Sequence, residues 1–133
     1  MRPSLLTVVL LAAMPMISIA SCSRSEPTPP PATKAAPAKD PVAARALIAQ
    51  GAVVIDVRTA DEFAGGHVPN ATNLAVEHFG DHLAEVDKLV AGDKSRAIVV
   101  YCSAGSRAAQ AKKILDDAGY QHVVNGGGYH DLR

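Results

Sequence analysis

Residues 100–107, Val-Tyr-Cys-Ser-Ala-Gly-Ser-Arg, place a thiol and a guanidinium at the two ends of a run of small residues. Small residues let the backbone curl so that several N–H groups point at one spot. A helix that follows the loop would add free N–H donors and a favourable dipole. Arg107 adds a permanent positive charge. Together these features stabilise an anion, and the sulfur of Cys102 is placed either to be that anion or to hold one.

The same features predict a thiol that is largely deprotonated at neutral pH. A free cysteine with a pKa of about 8.5 is only a small fraction thiolate at neutral pH. Lowering the pKa by roughly two units requires about 2.7 kcal/mol of preferential stabilisation of the thiolate. A helix terminus together with an arginine can supply this. The alternative for a single cysteine at the end of a strand is a buried structural role.

The five histidines do not form a convincing metal-binding pattern; they are His67, His78, His82, His122 and His130. His78 and His82 are four residues apart and could share a helix face, but two ligands without a third make a weak metal site. We therefore predict solvated or structural histidines and no metal site.

The composition of the whole chain argues against several classes of protein. Its 133 residues suffice for one compact domain and little more. Lys plus Arg and Asp plus Glu each number 13, and this zero net charge argues against a dedicated nucleic-acid binder. The apolar content of 48% argues against a charged disordered chain. Two cysteines are too few for a disulfide scaffold or a four-cysteine metal site.

Residues 1–21 have the pattern of a secretory signal peptide. Arg2 is the only charge before an uncharged run from Leu5 to Ala20. This run is 16 residues long and interrupted by Pro15, which is short for a membrane span of roughly 20 residues. A basic start, an apolar stretch and small residues after it are typical of a secretory signal.

The end of this segment, Ile19-Ala20-Ser21-Cys22, resembles the bacterial lipobox, in which the cysteine is lipidated and becomes the first mature residue. The alternative is an ordinary signal peptide with a chance cysteine nearby. The following residue is Ser23 rather than Asp, which in Gram-negative bacteria resembles sorting to the outer membrane. The sequence thus predicts a periplasmic protein that is anchored to the cell envelope by a lipid on Cys22.

Residues 22–40 form a predicted tether, with five prolines among Ser, Thr, Ala and Lys. Proline fixes the backbone dihedrals and removes N–H donors, so such a segment stays extended and solvated. At about 3.1 Å per residue, it could hold a domain up to roughly 50 Å from a surface. A disordered N-terminus without a role is equally compatible with this composition.

Residues 41–133 are the globular candidate, with nine Lys plus Arg and eleven Asp plus Glu, hence a charge of about −2. Their patterns alternate between helix and strand and indicate an α/β domain with a largely parallel sheet. The predicted helices cover 41–50, 60–64, 81–91 and 106–118, and the predicted strands cover 52–55, 71–74, 97–101 and 121–124. Ligands bind beyond the carboxyl ends of the strands in such sheets, which is where Cys102 lies.

Two blocks of this domain resemble the single-domain rhodanese family of sulfurtransferases. Residues 54–71, VIDVRTADEFAGGHVPNA, are similar to the family's block D-x-R-x-x-x-E-[FY]-x-x-G-H-I-x-G-A. The second block is the loop 102–107 with its following helix, and then Gly127-Gly128; Leu132 stands where the family usually has tryptophan. The resemblance covers residues 45–133 and is greatest to the small exported members of the phage-shock protein E type. It implies one rhodanese-like domain whose central, largely parallel β-sheet has helices on both faces.

The resemblance also implies a role for each matching residue. Cys102 matches the catalytic cysteine, which accepts a sulfane sulfur as a persulfide and passes it to a nucleophile. Arg107 matches the residue that helps bind an anionic donor such as thiosulfate. The amides that cradle the outer sulfur match Ser103, Ala104, Gly105 and Ser106. The residues that match the family's fold-defining block, and that we expect to brace the site, are Asp56, Arg58, Glu62 and His67.

Two other functions remain open on the sequence alone. Related phosphatases and arsenate reductases have a cysteine-to-arginine loop of seven residues, whereas Cys102 to Arg107 counts six. A non-catalytic rhodanese-like module that binds or senses sulfur at the envelope is the other alternative. The predicted enzyme needs a small-molecule sulfur donor, a thiol or cyanide acceptor and no cofactor. The residues specify neither the physiological donor and acceptor nor the oligomeric state.

Overall fold

A computed structural model describes residues 38–133. The helices are α1 (Pro41–Ala49), α2 (Ala60–Ala64), α3 (Leu83–Leu89) and α4 (Ser106–Asp117). The strands are β1 (Val53–Asp56), β2 (Thr72–Asn73), β3 (Ala97–Cys102) and β4 (His122–Gly128). Two 3₁₀ segments complete the chain, Val76–His82 and Tyr129–Asp131. The predictions for the signal peptide, for Cys22 and for nearly all of the tether lie outside the described residues.

The four strands form one parallel sheet in the order β2-β1-β3-β4. The central strands β1 and β3 are short apolar runs, as expected for strands that are covered on both faces. Their register pairs Val53 with Ile98 and Asp56 with Tyr101, so both strands end at the same edge of the sheet. The predicted parallel α/β fold is confirmed.

Helices cover both faces of the sheet, because alternate residues of the strands point to opposite sides. Ile55 and Val100 belong to a core cluster that includes residues of α3 and α4, namely Val86, Ala108, Ala111 and Leu115. Val54 and Val99 belong to a second cluster with Ala44 of α1 and with Leu132. The prediction of helices on both faces is therefore confirmed, and Leu132 is a buried part of the second cluster.

The beginnings of α1 and α2 are set by side chains that cap them. Asp40 accepts a hydrogen bond from the backbone N–H of Ala43, at 2.9 Å, and proline follows at the first helical position. Thr59 Oγ1 accepts from the N–H of Glu62, and Glu62 Oε2 accepts from the N–H of Thr59. This reciprocal capping box confirms the predicted start of α2 and fixes the backbone position of Glu62.

Most element boundaries agree with the sequence predictions to within one or two residues. The predicted helix over 81–91 is present as the shorter α3, and a 3₁₀ segment, Val76–His82, with a break at His78, precedes it. The predicted strand over 121–124 is too short. The prediction ends the strand before the glycine run, because glycines usually mark a loop. Instead, β4 continues through Gly126, Gly127 and Gly128, and Gly128 pairs with Cys102 of β3. This extension brings the glycine run against the candidate site. Within residues 38–133, none of the helices is long and apolar enough to cross a membrane.

Candidate active site

Cys102 is the last residue of β3, where the chain leaves the central sheet and turns into α4. Its side chain is buried and belongs to the core cluster beneath α4. Three residues of the following loop are exposed: Ser103, Ala104 and Ser106. The thiol therefore lies at the base of a short loop whose other residues mostly face solvent.

Backbone N–H groups surround the sulfur of Cys102. The N–H of Gly105 donates to Sγ at 3.0 Å. Burial raises the pKa of the Cys102 thiol, but the backbone N–H groups around it outweigh burial, so the net pKa is lowered. These groups belong to Ala108, Ala104, Gly105 and Arg107. The direction agrees with the thiolate expected from the sequence.

The turn that points the N–H of Gly105 at the sulfur needs glycine. Gly105 has φ of +106°, a conformation that costs L-residues roughly 1–2 kcal/mol. A Cβ atom at this position would lie 3.3 Å from Cα of Gly127 on β4. The carbonyl oxygen of Gly105 accepts the first α4 hydrogen bond, from Ala109 at 2.9 Å. Gly105 therefore joins the loop, the helix and β4.

Asn125 of β4 bonds the carbonyl group of Gly105 in this turn. Asn125 is not among the site residues that the sequence predicts. The residue is 2% exposed. Nδ2 donates to the carbonyl oxygen of Gly105 at 3.0 Å, and Oδ1 accepts from the N–H of Gly127 at 2.9 Å. The available signal was a polar amide between the apolar Val123-Val124 pair and the glycine run.

The glycine run of β4 packs directly against the loop that follows Cys102. A Cβ atom at Gly128 would lie 2.5 Å from the carbonyl oxygen of Ser103, too close for any side chain. This contact gives Gly128 a role in backbone packing.

Arg107 is paired with Glu62 at the rim of the loop. Its Nη1 donates to Oε2 of Glu62 at 2.7 Å and its Nη2 donates to Oε1 at 2.9 Å. Ser103 Oγ donates to Oε1 of Glu62 at 2.7 Å and accepts from Nη2 of Arg107. The hydrogen bonds from Arg107 and Ser103 hold the pKa of Glu62 well below its usual range. The positive charge expected at the loop is thus balanced by a neighbouring carboxylate.

Asp56 and Arg58 form a separate, buried ion pair. The shortest of their contacts is 2.6 Å, between Nη2 of Arg58 and Oδ2 of Asp56, and the side chains are 0% exposed for Asp56 and 8% for Arg58. Nη2 also donates to the carbonyl oxygen of Gly66 at 2.7 Å, and the guanidinium lies 4.7 Å from the ring centroid of Tyr129. This pair ties the end of β1 to the turn after α2 and to the C-terminal segment. Glu62 therefore bonds the Cys102 loop directly, whereas the side chains of Asp56 and Arg58 bond each other and the turn after α2.

His67 lies towards the surface, stacked on Phe63 with ring centroids 3.8 Å apart. Its Nδ1 is 3.0 Å from the carbonyl oxygen of Phe63. These contacts place His67 at the end of α2. Across residues 38–133, no group of three or more His, Cys, Asp or Glu side chains is arranged to hold a metal ion.

The arrangement can perform nucleophilic chemistry at sulfur. Backbone N–H groups stabilise a thiolate at Cys102, so the nucleophile does not depend on a neighbouring general base. The same donors can stabilise negative charge on an atom attached to the sulfur.

Comparisons with known proteins agree with this chemistry. Residues 40–132 match the family described as Rhodanese-like domain. The chain is 37% identical over 78 residues to the thiosulfate sulfurtransferase PspE of Escherichia coli (strain K12), covering 59% of this chain and 71% of PspE. It is also 37% identical over 86 residues to the tRNA uridine(34) hydroxylase of Buchnera aphidicola subsp. Acyrthosiphon pisum (strain Tuc7), covering 61% of this chain but only 26% of the hydroxylase. The solved structure of the human single-domain sulfurtransferase TSTD1 superposes with a TM-score of 0.58 and 28% identity, covering 73% of this chain and 95% of TSTD1.

Proposed function

Because the chain belongs to the rhodanese-like family, whose small members include thiosulfate sulfurtransferases, we propose that it moves a sulfane sulfur from thiosulfate or a similar donor to cyanide or a thiol. The carrier in this proposal is a persulfide on Cys102. The observation that supports it most directly is the buried sulfur of Cys102 accepting a hydrogen bond from the N–H of Gly105. No cofactor takes part in the proposed reaction.

The proposed reaction has two halves. In the first, the Cys102 thiolate attacks the outer sulfur of thiosulfate, a new S–S bond forms, the S–S bond of the donor breaks, and sulfite leaves with the electron pair. In the second, cyanide or a thiolate attacks the outer sulfur of the persulfide. The bond to the acceptor forms, the persulfide S–S bond breaks, and the electron pair returns to Cys102. Sulfane sulfur and electrons are conserved over the cycle without an external oxidant or reductant.

The remaining predicted site residues take supporting parts in this proposal. The loop amides from Ser103 to Ser106 would hold the outer sulfur and the charge that it carries. Arg107 would contact an anionic donor while its guanidinium remains paired with Glu62. The donor and the Glu62 carboxylate would then both bind the same guanidinium. Asp56, Arg58 and His67 would act through the shape of the fold.

Two features favour sulfur transfer over the other functions. The loop from Cys102 to Arg107 counts six residues, one fewer than the loop that we expect of related phosphatases and arsenate reductases. The match to the tRNA hydroxylase covers only 26% of that protein, so this likeness does not carry the hydroxylase activity over to this chain.

The carrier role of Cys102 can be tested by intact mass spectrometry. After incubation with thiosulfate and desalting, the full chain should gain about 32 Da, which peptide mapping should place on Cys102. Cyanide should remove the added mass in step with the appearance of thiocyanate. The Cys102→Ser variant should gain nothing, and a Lys113→Ala variant, changed on the exposed face of α4, should behave like the native protein.

A native protein that stays at its original mass, while the thiol reacts readily with iodoacetamide, would favour the non-catalytic binding module instead. Mass gain at Cys22 alone would also contradict the proposal, because that residue lies outside the catalytic domain.

We further propose that Cys22 carries a lipid that anchors the protein in the cell envelope, with Ser23 favouring the outer membrane in a Gram-negative host. The support for this is the lipobox-like segment of residues 19–22. Expression in Escherichia coli with labelled palmitate should label the native chain and leave Cys22→Ser unlabelled. Equal labelling of both proteins, or of neither, would contradict lipidation at this residue.

A further inference from the structure

We infer that Asn125 is a positioning residue of the sulfur site, which holds the carbonyl group of Gly105 and thereby restricts the residue so that its N–H points at the sulfur of Cys102. The inference concerns the same loop as the proposed function and deepens it. It rests on the position and hydrogen bonds of one buried amide, and it is independent of which donor or acceptor the protein uses.

The side chain of Asn125 bridges two backbone turns that both require positive φ. Gly105 has φ of +106° and Gly127 has φ of +82°. Nδ2 donates to the carbonyl oxygen of Gly105, while Oδ1 accepts from the N–H of Gly127. One amide therefore fixes both turns at once, using its donor on one and its acceptor on the other.

The two ends of the Gly105 residue are thereby coupled. Its carbonyl oxygen is held by Asn125 and by the N–H of Ala109, and its N–H donates to Sγ of Cys102 at 3.0 Å. A residue whose carbonyl is held from two directions has little freedom to rotate its N–H away from the sulfur. Loss of Asn125 would leave only the helix bond to hold the carbonyl.

Burial makes this amide costly to leave unsatisfied, since an unpaired buried polar group loses its hydration without compensation. Within the described part of the chain, no buried side-chain nitrogen or oxygen lacks a hydrogen-bond partner. Both polar atoms of Asn125 meet this demand with backbone groups next to the catalytic loop. These two hydrogen bonds fix the orientation of the amide, and they also hold the backbone of Gly105 and Gly127 in place.

The charged groups beside this loop are already paired with one another. Arg107 of α4 is bound to Glu62 of α2, and its charge interacts with that of Cys102. Lys39 lies over Gly105 and Gly127 and pairs with Asp131 at 3.6 Å. Replacing the neutral amide leaves these pairs in place, so a change in the thiol reports on the position of the N–H donors.

The test is the pH dependence of Cys102 alkylation by iodoacetamide in the full chain, followed by mass spectrometry of the Cys102 peptide. Asn125→Ala removes both hydrogen bonds. Asn125→Leu keeps the number of side-chain heavy atoms and adds no charge, but it also loses the hydrogen bonds to Gly105 and Gly127. Each variant should raise the pKa of the thiol. If the pKa of the thiol rises by about one, alkylation should slow by about tenfold at any pH well below the pKa of the native thiol. The reason is that the thiolate fraction falls by that factor.

Val123→Ala is the matched control. Val123 is a buried residue of the same strand, but it pairs with Ile98, four residues before Cys102. Its loss should lower the melting temperature without moving the alkylation profile. Thermal unfolding of each variant checks that it folds, and the uncharged Asn125→Leu retains the test if Asn125→Ala does not fold.

Native-like alkylation profiles in the folded Asn125 variants would overturn the inference, as would an ordinary cysteine profile in the native protein. A native thiol with a lowered pKa that slows in the Asn125 variants, but never gains sulfur from thiosulfate, would support the inference and contradict the proposed function.

Discussion

Replacing Cys102 by serine should reduce thiocyanate formation from thiosulfate and cyanide by at least about 10³-fold, the scale on which enzymes lose turnover when their nucleophile is removed. The oxygen of serine cannot form a persulfide, and its hydroxyl stays protonated where the thiol of Cys102 is ionised. The N–H of Gly105 would remain in place, so the protein keeps its fold but loses the sulfur carrier.

Steady-state thiocyanate production by the native protein and by Cys102→Ser is the measurement. The native rate should also fall as the pH is lowered through the pKa of the thiol, because protonation removes the nucleophile while the N–H groups that lower this pKa remain. Lys113→Ala serves as the control, since Lys113 pairs with Asp117 on the exposed face of α4. Comparable rates in the native and serine proteins would rule out Cys102 as the carrier.

Replacing Arg58 by alanine should lower the free energy of unfolding by about 3–5 kcal/mol, the usual consequence of removing one partner from a buried ion pair. The carboxylate of Asp56 is 0% exposed, and the variant would leave it without a counter-charge. The backbone N–H of Arg58 donates to Asp56 at 2.9 Å, which is too little to offset a buried charge. Such a loss is a large share of the roughly 5–15 kcal/mol that is typical of a folded domain.

Urea unfolding of Arg58→Ala and of the double variant Asp56→Ala/Arg58→Ala separates the buried charge from other effects. The double variant should be the more stable of the two, because it leaves no unpaired carboxylate. Lys113→Ala, which breaks a pair that is exposed on both sides, should change stability by no more than about 1 kcal/mol. If Arg58→Ala unfolds at the same urea concentration as this surface variant, the buried pair is not a main support of the fold.

The central strands and the loop around Cys102 could be predicted from the sequence because local signals define them. The apolar runs before Asp56 and Cys102 predicted the two inner strands, and the capping box placed Glu62 at the first turn of α2. The pairing of Glu62 with Arg107, 45 residues along the chain, has no such signal. It depends on where α2 and the loop meet in space, and this is a property of the tertiary fold.

The contact of Asn125 with Gly105 also could not be predicted from the sequence, but for a different reason. A glycine run ordinarily predicts a turn, and here β4 passes straight through it because Gly128 must lie against the carbonyl oxygen of Ser103. If β4 is predicted to end at Val124, Asn125 lies in a predicted loop and its contact with Gly105 is not expected. An error of four residues in one strand boundary thus conceals a residue that bonds the Cys102 loop.

The pairing of Arg107 with Glu62 has a consequence for how an anion reaches this protein. Attraction over distances of about a Debye length, roughly 8–10 Å, depends on net local charge, and here the guanidinium is balanced by a carboxylate 2.7 Å away. A dianion approaching through solution gains little acceleration from such a neutral pair. In the proposed reaction, discrimination between anions would therefore occur on contact, when the donor would have to compete with Glu62 for the guanidinium and reach the inward-pointing N–H groups.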